Sequence, residues 1–184
     1  MFVARVPSRI DCRRRTSVGI VYRRITVEAF KIEEFLKDNP GENFPQFKKL
    51  RPDESDNIRS VLAARLGMDT NTNPLQLFLS LLEVSRTLVD VDIDASDFSL
   101  ASVVASFGVK PTQHAYIDWR RFEDIDCFKF SDLDNYFKPI CTDYLGDDVC
   151  VFDDTLEWLI FVMHYERVQV VRFNLDSAKT QVLK

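Results

Sequence analysis

The segment 156–165 constrains the fold more than any other part of the sequence, because it is apolar on both of the faces that an extended chain presents. Side chains alternate between the two sides of a strand. The segment therefore yields two apolar sets: Trp158, Ile160 and Val162 on one side, and Leu159, Phe161 and Met163 on the other. This pattern is typical of a central strand covered on both faces. Over so short a run, a buried helix fits the periodicity equally well.

A second apolar run, 168–173, follows the polar pair Glu166 and Arg167. Two apolar runs joined by a short polar link predict an antiparallel hairpin. Further aromatic and β-branched residues predict three more short strands, at 114–119, 126–130 and 149–152. The C-terminal part of the chain is thus expected to form a small sheet.

Before Gly108 the apolar residues recur with helical spacing instead. Four helices are predicted there, beginning near Thr26, Ser55, Asn73 and Ser96. The third is the most strongly marked, since Asn73 is a good N-cap and Pro74 suits the first helical position. Because its apolar residues cover most of its circumference, we expect it to be the most buried helix. A short fifth helix is predicted over 131–137, with Ser131 as its cap.

The order of these elements, helices first and strands last, is that of an α+β protein rather than of a βαβ repeat. We predict an N-terminal helical bundle portion packed on a small C-terminal, mainly antiparallel sheet. A chain of 184 residues fits one domain. Residues 25–175 are therefore expected to form a single α+β domain, preceded by a basic, poorly ordered extension at 1–24 and followed by a polar tail at 176–184.

Charge is distributed unevenly along the chain. Residues 1–24 contain seven arginines and one acid, whereas the other 160 residues contain 17 basic and 28 acidic residues, a net charge of −11. Nucleic-acid affinity depends mainly on Lys and Arg neutralising phosphates, so nucleic acid is excluded as a partner of the acidic body. The chain contains neither an apolar stretch of membrane-spanning length nor an apolar secretory signal, which favours a cytoplasmic location without membrane contact.

The sequence offers little for a metal or a cofactor. Cys12, Cys127, Cys141 and Cys150 are far apart and form no close pair, so they are expected to be free thiols. The segment 90–94 begins like a calcium loop, but Ala95 and Ala101 stand where a glycine and a bidentate glutamate are needed. Phosphate-cradling glycine motifs are also missing from the sequence. We therefore predict no metal and no cofactor.

The evidence for catalysis in the sequence is equally sparse. His114 and His164 are the two histidines, and neither stands in a recognisable nucleophile, zinc or triad motif. A catalytic role would require one of them to lie in a cleft beside carboxylates with perturbed pKa values. The chain is predicted not to be an enzyme, with a small enzyme as the lesser alternative.

Segment 118–157 combines acids with aromatic residues. It contains twelve acidic residues against four basic ones, a local net charge of −8, and eight aromatic rings. An acidic face with aromatic anchors suits the docking of a basic protein, because charge steers the encounter and buried rings supply binding energy. The equally weighted alternative is that the rings form core and the acids solvate a surface. The predicted partner-binding residues are Asp124, Asp126, Asp132, Asp134, Asp143, Tyr144, Asp147, Asp148, Asp153 and Asp154.

The same segment carries a resemblance to a known family. Asp118-Trp119, the spacing Leu133-x-x-Tyr136-Phe137, and the run from Asp148 through Trp158 to His164 resemble small bacterial immunity proteins of polymorphic toxin and contact-dependent inhibition systems. The resemblance covers about the last 70 residues. It implies a cytoplasmic protein that binds and occludes a cognate toxin, often a basic nuclease domain, without catalysis. A non-catalytic regulatory or scaffold protein is the alternative interpretation.

Overall fold

A seven-stranded antiparallel sheet forms the centre of the molecule in the computed structural model, which describes residues 29–93, 95–141, 148–163 and 167–173. The strand order is β1-β4-β3-β5-β6-β7-β2. The strands are β1 Phe47–Lys49, β2 Arg86–Leu88, β3 His114–Asp118, β4 Ile125–Lys129, β5 Val149–Asp153, β6 Trp158–Val162 and β7 Val168–Arg172. The extension 1–24 and the tail 176–184 lie outside the described residues.

Helices cover both faces of this sheet. They are α1 Ala29–Asp38, α2 Pro52–Arg65, α3 Pro74–Val84, α4 Leu100–Ser106, α5 Phe130–Asn135 and α6 Phe137–Cys141. Helices α2 and α3 supply apolar residues to the core on one face, and α4, α5 and α6 supply the core on the other. None of the helices in the described ranges is long and apolar enough to cross a membrane.

The predicted arrangement of a helical bundle on a small C-terminal sheet is wrong. The two edge strands come from the first half of the chain, where β1 pairs with β4 and β2 pairs with β7. Each of these strands is three residues long, which is too short for alternation to stand out from the neighbouring helical pattern. Pairing with strands distant in sequence makes them extended, so the sheet is wide and central, and the helices are divided between its faces.

The prediction of a central strand in segment 156–165 is confirmed over Trp158–Val162. Leu156 belongs to the preceding turn, and residues 164–165 lie outside the described residues. All five residues of β6 are buried. Trp158, Ile160 and Val162 belong to one core, and Leu159, Phe161 and Met163 belong to the other. The hairpin is confirmed as well, since β6 pairs antiparallel with β7. The two alternating apolar sets were enough to predict this strand, because a central strand is covered on both faces.

Helix boundaries follow the predicted capping residues with three exceptions. Helix α2 begins at Pro52 behind Arg51, three residues before the predicted start near Ser55. Asn73 caps α3, its side-chain oxygen accepting from the amide of Leu75 at 2.8 Å. Helix α4 begins at Leu100 behind the cap Ser99 and not near Ser96. Helix α5 follows β4 directly and has Lys129 at its N-cap position. The hydroxyl of Ser131 donates instead to Asp132, so the predicted serine cap is wrong.

Candidate interaction surface

The ten predicted partner-binding residues fall into three groups. Asp143, Tyr144 and Asp147 lie outside the described residues. Asp126 and Asp153 are completely buried. The remaining five have partly exposed side chains: Asp124, Asp132, Asp134, Asp148 and Asp154. Of the predicted residues that the structure describes, only this last group offers carboxylates that an approaching partner meets at the surface of the fold.

Asp153 organises the turn between β5 and β6. Its carboxylate accepts from the amide of Thr112 at 3.0 Å, from the amide of Thr155 at 3.0 Å, and from the Thr155 hydroxyl. Hydrogen bonds to a carboxylate are stronger than bonds between neutral groups. The negative charge of Asp153 is therefore satisfied within the fold.

Asp126 belongs to a second buried polar group, on the face that α1 and α6 cover. Its carboxylate accepts from the indole Nε1 of Trp119 at 2.9 Å. The ammonium of Lys31, a residue of α1 with 6% exposure, lies 4.4 Å from the centre of the Trp119 ring. This cation–π contact joins α1 to Trp119, and the hydrogen bond from the indole to Asp126 helps to hold that ring in place.

Several of the partly exposed acids also have partners. Asp134 accepts from the amide of Ala101 at 3.0 Å and from the hydroxyl of Ser99, and so caps α4 from outside the helix. Asp124 pairs with Lys49 at 3.1 Å, and Asp132 with Lys129 at 3.6 Å. These exposed pairs contribute little to stability.

The carboxylates do not form one patch. Strands β3 and β5 are antiparallel, with Ala115 opposite Asp153 and Asp118 opposite Cys150. Asp154, just after β5, and Asp148, just before β5, therefore lie at opposite ends of the sheet. One end holds Asp154 with Asp132 and Asp134, and the other holds Asp124 and Asp148.

His114 lies in a small polar cluster at the first of these ends. The carboxylate of Asp154 accepts from the Tyr116 hydroxyl and from the Thr112 hydroxyl, the latter at 3.2 Å. The His114 Nδ1 atom lies 3.9 Å from the same carboxylate. This arrangement can orient an imidazole, but the cysteines that the structure describes (127, 141 and 150) are buried and supply no accessible nucleophile. His164 lies outside the described residues.

A metal site is not formed by the residues that the structure describes. No group of three or more His, Cys, Asp or Glu side chains within those ranges is arranged to hold a metal ion. Burial also raises the pKa of the Cys141 thiol and of the Cys150 thiol. A raised pKa keeps a thiol protonated and poorly reactive.

Two exposed leucines one helical turn apart lie on α3, and they were not predicted from the sequence pattern. Leu75 and Leu79 are 41% and 55% exposed, and Glu83 is exposed one helical turn further on. Residues spaced by four lie on one side of a helix. These three residues, the α3 stripe, therefore run along the outer side of α3, opposite Leu77, Phe78 and Leu81, which enter the core.

The prediction that α3 is the most buried helix is wrong, because the side of α3 that carries Leu75 and Leu79 is exposed. Its apolar residues cover most of its circumference, but it packs against α2 and β7 on one side, and Leu75 and Leu79 on the other side are exposed. Composition could not separate leucines that enter a core from leucines left outside it. The signal in the sequence was Glu83, which shares a helix side with Leu75 and Leu79 and marks that side as exposed.

Glu83 also lies in an electrostatically unfavourable position. It is the penultimate residue of α3, and the last turn contains no basic residue. The C-terminal end of a helix carries partial negative charge, so an acid there is destabilising and a base is stabilising. The α3 stripe thus combines two locally unfavourable choices, exposed leucines and an acid at a helix C-terminus. Such choices are expected where a surface serves function.

Comparisons of this chain with protein-family models, with curated protein sequences and with solved structures found no match.

Proposed function

We propose that this protein is a non-catalytic binding module for a basic protein, and that the α3 stripe is its docking element. The observation that carries the proposal is the exposure of Leu75 and Leu79 one helical turn apart. Exposed apolar patches with polar surroundings mark protein interaction sites. Completing the burial of each half-exposed leucine contributes about 1 kcal/mol to binding.

The charge of the chain supports a basic partner. The sequence from residue 25 onward has a net charge of −11. A positively charged partner is attracted to such a body over long distances, and like-charged proteins are repelled. On the α3 stripe itself, Glu83 offers a carboxylate beside the two leucines, which suits a lysine or arginine next to an apolar side chain.

The resemblance of the C-terminal segment to immunity proteins suggests which basic partner this is. We propose a cognate toxin domain, such as a nuclease, which the protein meets in the cytoplasm and neutralises by occlusion. In this proposal the exposed acids Asp124, Asp132, Asp148 and Asp154 contribute to the attracting field rather than to one contact patch, because they lie at both ends of the sheet. Asp126 and Asp153 serve the fold.

The experiment measures binding to the toxin domain encoded beside this gene, by calorimetry, together with rescue of cells that express that domain. We expect a complex of low-micromolar affinity or tighter. The double variant Leu75→Ser/Leu79→Ser is expected to weaken it by about tenfold or more, because the loss of two apolar contacts costs roughly 2 kcal/mol.

A matched control is available on another helix. Leu36 of α1 is 43% exposed, close to the 41% of Leu75, so Leu36→Ser makes the same chemical change at equal exposure. This variant is expected to bind like the parent protein. Equal weakening by Leu36→Ser would contradict a specific role of α3, and the absence of any complex or rescue would end the toxin proposal.

A further inference from the structure

The turn between β3 and β4 has an unusual backbone. The amide of Glu123 donates to the carbonyl of Arg120 at 2.9 Å, which closes a four-residue turn. Its two central residues, Arg121 and Phe122, have positive φ angles of 49° and 64°. A turn with two left-handed central residues is normally built from Asn and Gly. Arginine and phenylalanine have a Cβ atom that disfavours this conformation, so the closed turn is strained.

Three contacts hold the strained turn closed. The carboxyl of Asp118 accepts from the amide of Arg120 at 3.1 Å and also from the amide of Phe122. The Phe122 ring is completely buried, with its centre 6.1 Å from that of Phe152. From α2, the Nη1 atom of Arg59 donates to the carbonyl of Phe122 at 2.8 Å. The conformation of the turn thus depends on Asp118 at its base.

The surroundings of Asp118 disfavour a negative charge. Its side chain is 1% exposed, and it lies opposite Cys150 of β5. Burial, reinforced by Asp124 and Glu123, raises the pKa of Asp118 to about 7.

The nearby cations are directed elsewhere. Arg59 of α2 binds the Phe122 carbonyl and Asp56. Lys49 of β1 pairs with Asp124, and Arg120 of the turn is exposed. The two donating amides favour the ionised form of Asp118, but burial and the like charges of Asp124 and Glu123 disfavour it more strongly. Ionisation therefore places a charge in a buried site that compensates it only in part.

We propose that the β3–β4 turn is a latch controlled by a proton: it is closed while Asp118 is protonated and released when that carboxyl ionises. Release gives the carboxylate access to water, which an ionised buried group needs. It also relieves the strain of the left-handed backbone at Arg121 and Phe122. Hydration of the carboxylate and relief of this strain therefore both favour the open turn. The released turn exposes the Phe122 ring and frees the Arg59 guanidinium. This proposal does not depend on the identity of any partner.

Hydrogen exchange of the Arg120 and Phe122 amides tests the latch. Exchange is followed by NMR on the full chain between about pH 5.5 and about pH 9, and corrected for the intrinsic rates. We expect protection to fall as pH rises toward about 7, by up to about tenfold per pH unit, and to level off above about pH 7, because opening releases a proton only while Asp118 is protonated in the closed turn. Amides of β6 serve as the internal reference and keep their protection.

Two sets of variants make the test decisive. Asp118→Asn retains an oxygen that accepts the two amides but cannot ionise, so the turn should stay protected at alkaline pH. Arg121→Gly removes left-handed strain at an exposed site and should raise protection of the turn by about fivefold or more. Arg120→Gly is its control, because Arg120 is also exposed and does not have a positive φ, and it should give no increase.

The proposal is overturned if the parent protein's protection of the turn is independent of pH, or if Asp118→Asn keeps the pH dependence. It is equally overturned if Arg121→Gly protects no better than Arg120→Gly. Should Asp118→Asn fail to fold, the pH profile of the parent protein and the glycine pair still decide the question.

Discussion

Three aspartates show how differently one residue type is used in this acidic chain. Asp118, Asp126 and Asp153 are all buried. Asp153 accepts three hydrogen bonds at a strand end, and Asp126 accepts from an indole. Asp118 holds a strained turn. Each accepts hydrogen bonds from donors inside the protein that would otherwise have no partner. An excess of acidic residues in a segment therefore does not show that its carboxylates lie at the surface.

The pH dependence of stability should reveal Asp118. Its folded-state pKa of about 7 is above the ordinary value of 3.8, so the folded form binds the proton more tightly. The contribution of Asp118 to the free energy of unfolding is fully present below about pH 4 and is lost as pH rises to about 7. Asparagine does not ionise, so Asp118→Asn does not lose this stability as pH rises. The variant should therefore have a higher free energy of unfolding than the parent protein above pH 7, by on the order of 2–4 kcal/mol.

Urea denaturation of both proteins at about pH 5 and about pH 8 checks this expectation. The informative quantity is the difference in the free energy of unfolding between variant and parent, which cancels the titration of all other groups. A difference that is the same at both pH values would show that Asp118 titrates normally in the folded state.

At the scale of elements, α2 connects two hairpin turns at opposite ends of the sheet. Arg59 donates to Phe122 in the β3–β4 turn. Arg65 donates to the carbonyls of Thr155 and Leu156 in the β5–β6 turn, where Leu156 has a φ of 53°. Both turns contain a buried residue in the left-handed region, so both depend on a side-chain donor from the same helix.

Replacement of Arg65 by lysine should loosen the β5–β6 turn. The guanidinium donates to two carbonyls in one plane and lies over the Phe173 ring, whereas an ammonium is a point charge without that planar fork. We expect Arg65→Lys to lower the free energy of unfolding by about 1–2 kcal/mol. Denaturation midpoints measure the effect.

Arg51→Lys is the control for this substitution. Arg51, the N-cap residue of α2, pairs with Asp53 and more distantly with Glu54. Its side chain is 66% exposed, so the same exchange should change stability by less than about 0.5 kcal/mol. Equal effects of the two substitutions would mean that the Arg65 bonds contribute nothing specific.

At the scale of the whole molecule, the sheet separates two cores and spreads the carboxylates over both of its ends. A charge distribution of this kind acts on a partner through its summed field more than through single contacts. If the proposed basic toxin domain is the partner, the net charge governs the encounter and the α3 stripe governs the lifetime of the complex.

Salt should therefore act mainly on association. Between about 0.05 M and about 0.5 M salt we expect the association rate with the toxin domain to fall by about tenfold or more, with little change in the dissociation rate. Surface plasmon resonance separates the two rates. Leu79→Ser should show the opposite behaviour and accelerate dissociation. An association rate that is insensitive to salt would contradict electrostatic steering.

Local signals in the sequence determined the elements that depend on local physics. Alternation over 156–165 determined β6 and both of its faces, and Asn73 with Pro74 determined the start of α3. Tertiary structure decided the rest, because three-residue strands such as β1 and β2 become extended only through partners distant in the chain. It also decided which acids are buried and which leucines of α3 stay outside, since burial depends on what packs against a side chain, and a sequence read locally does not contain that neighbour.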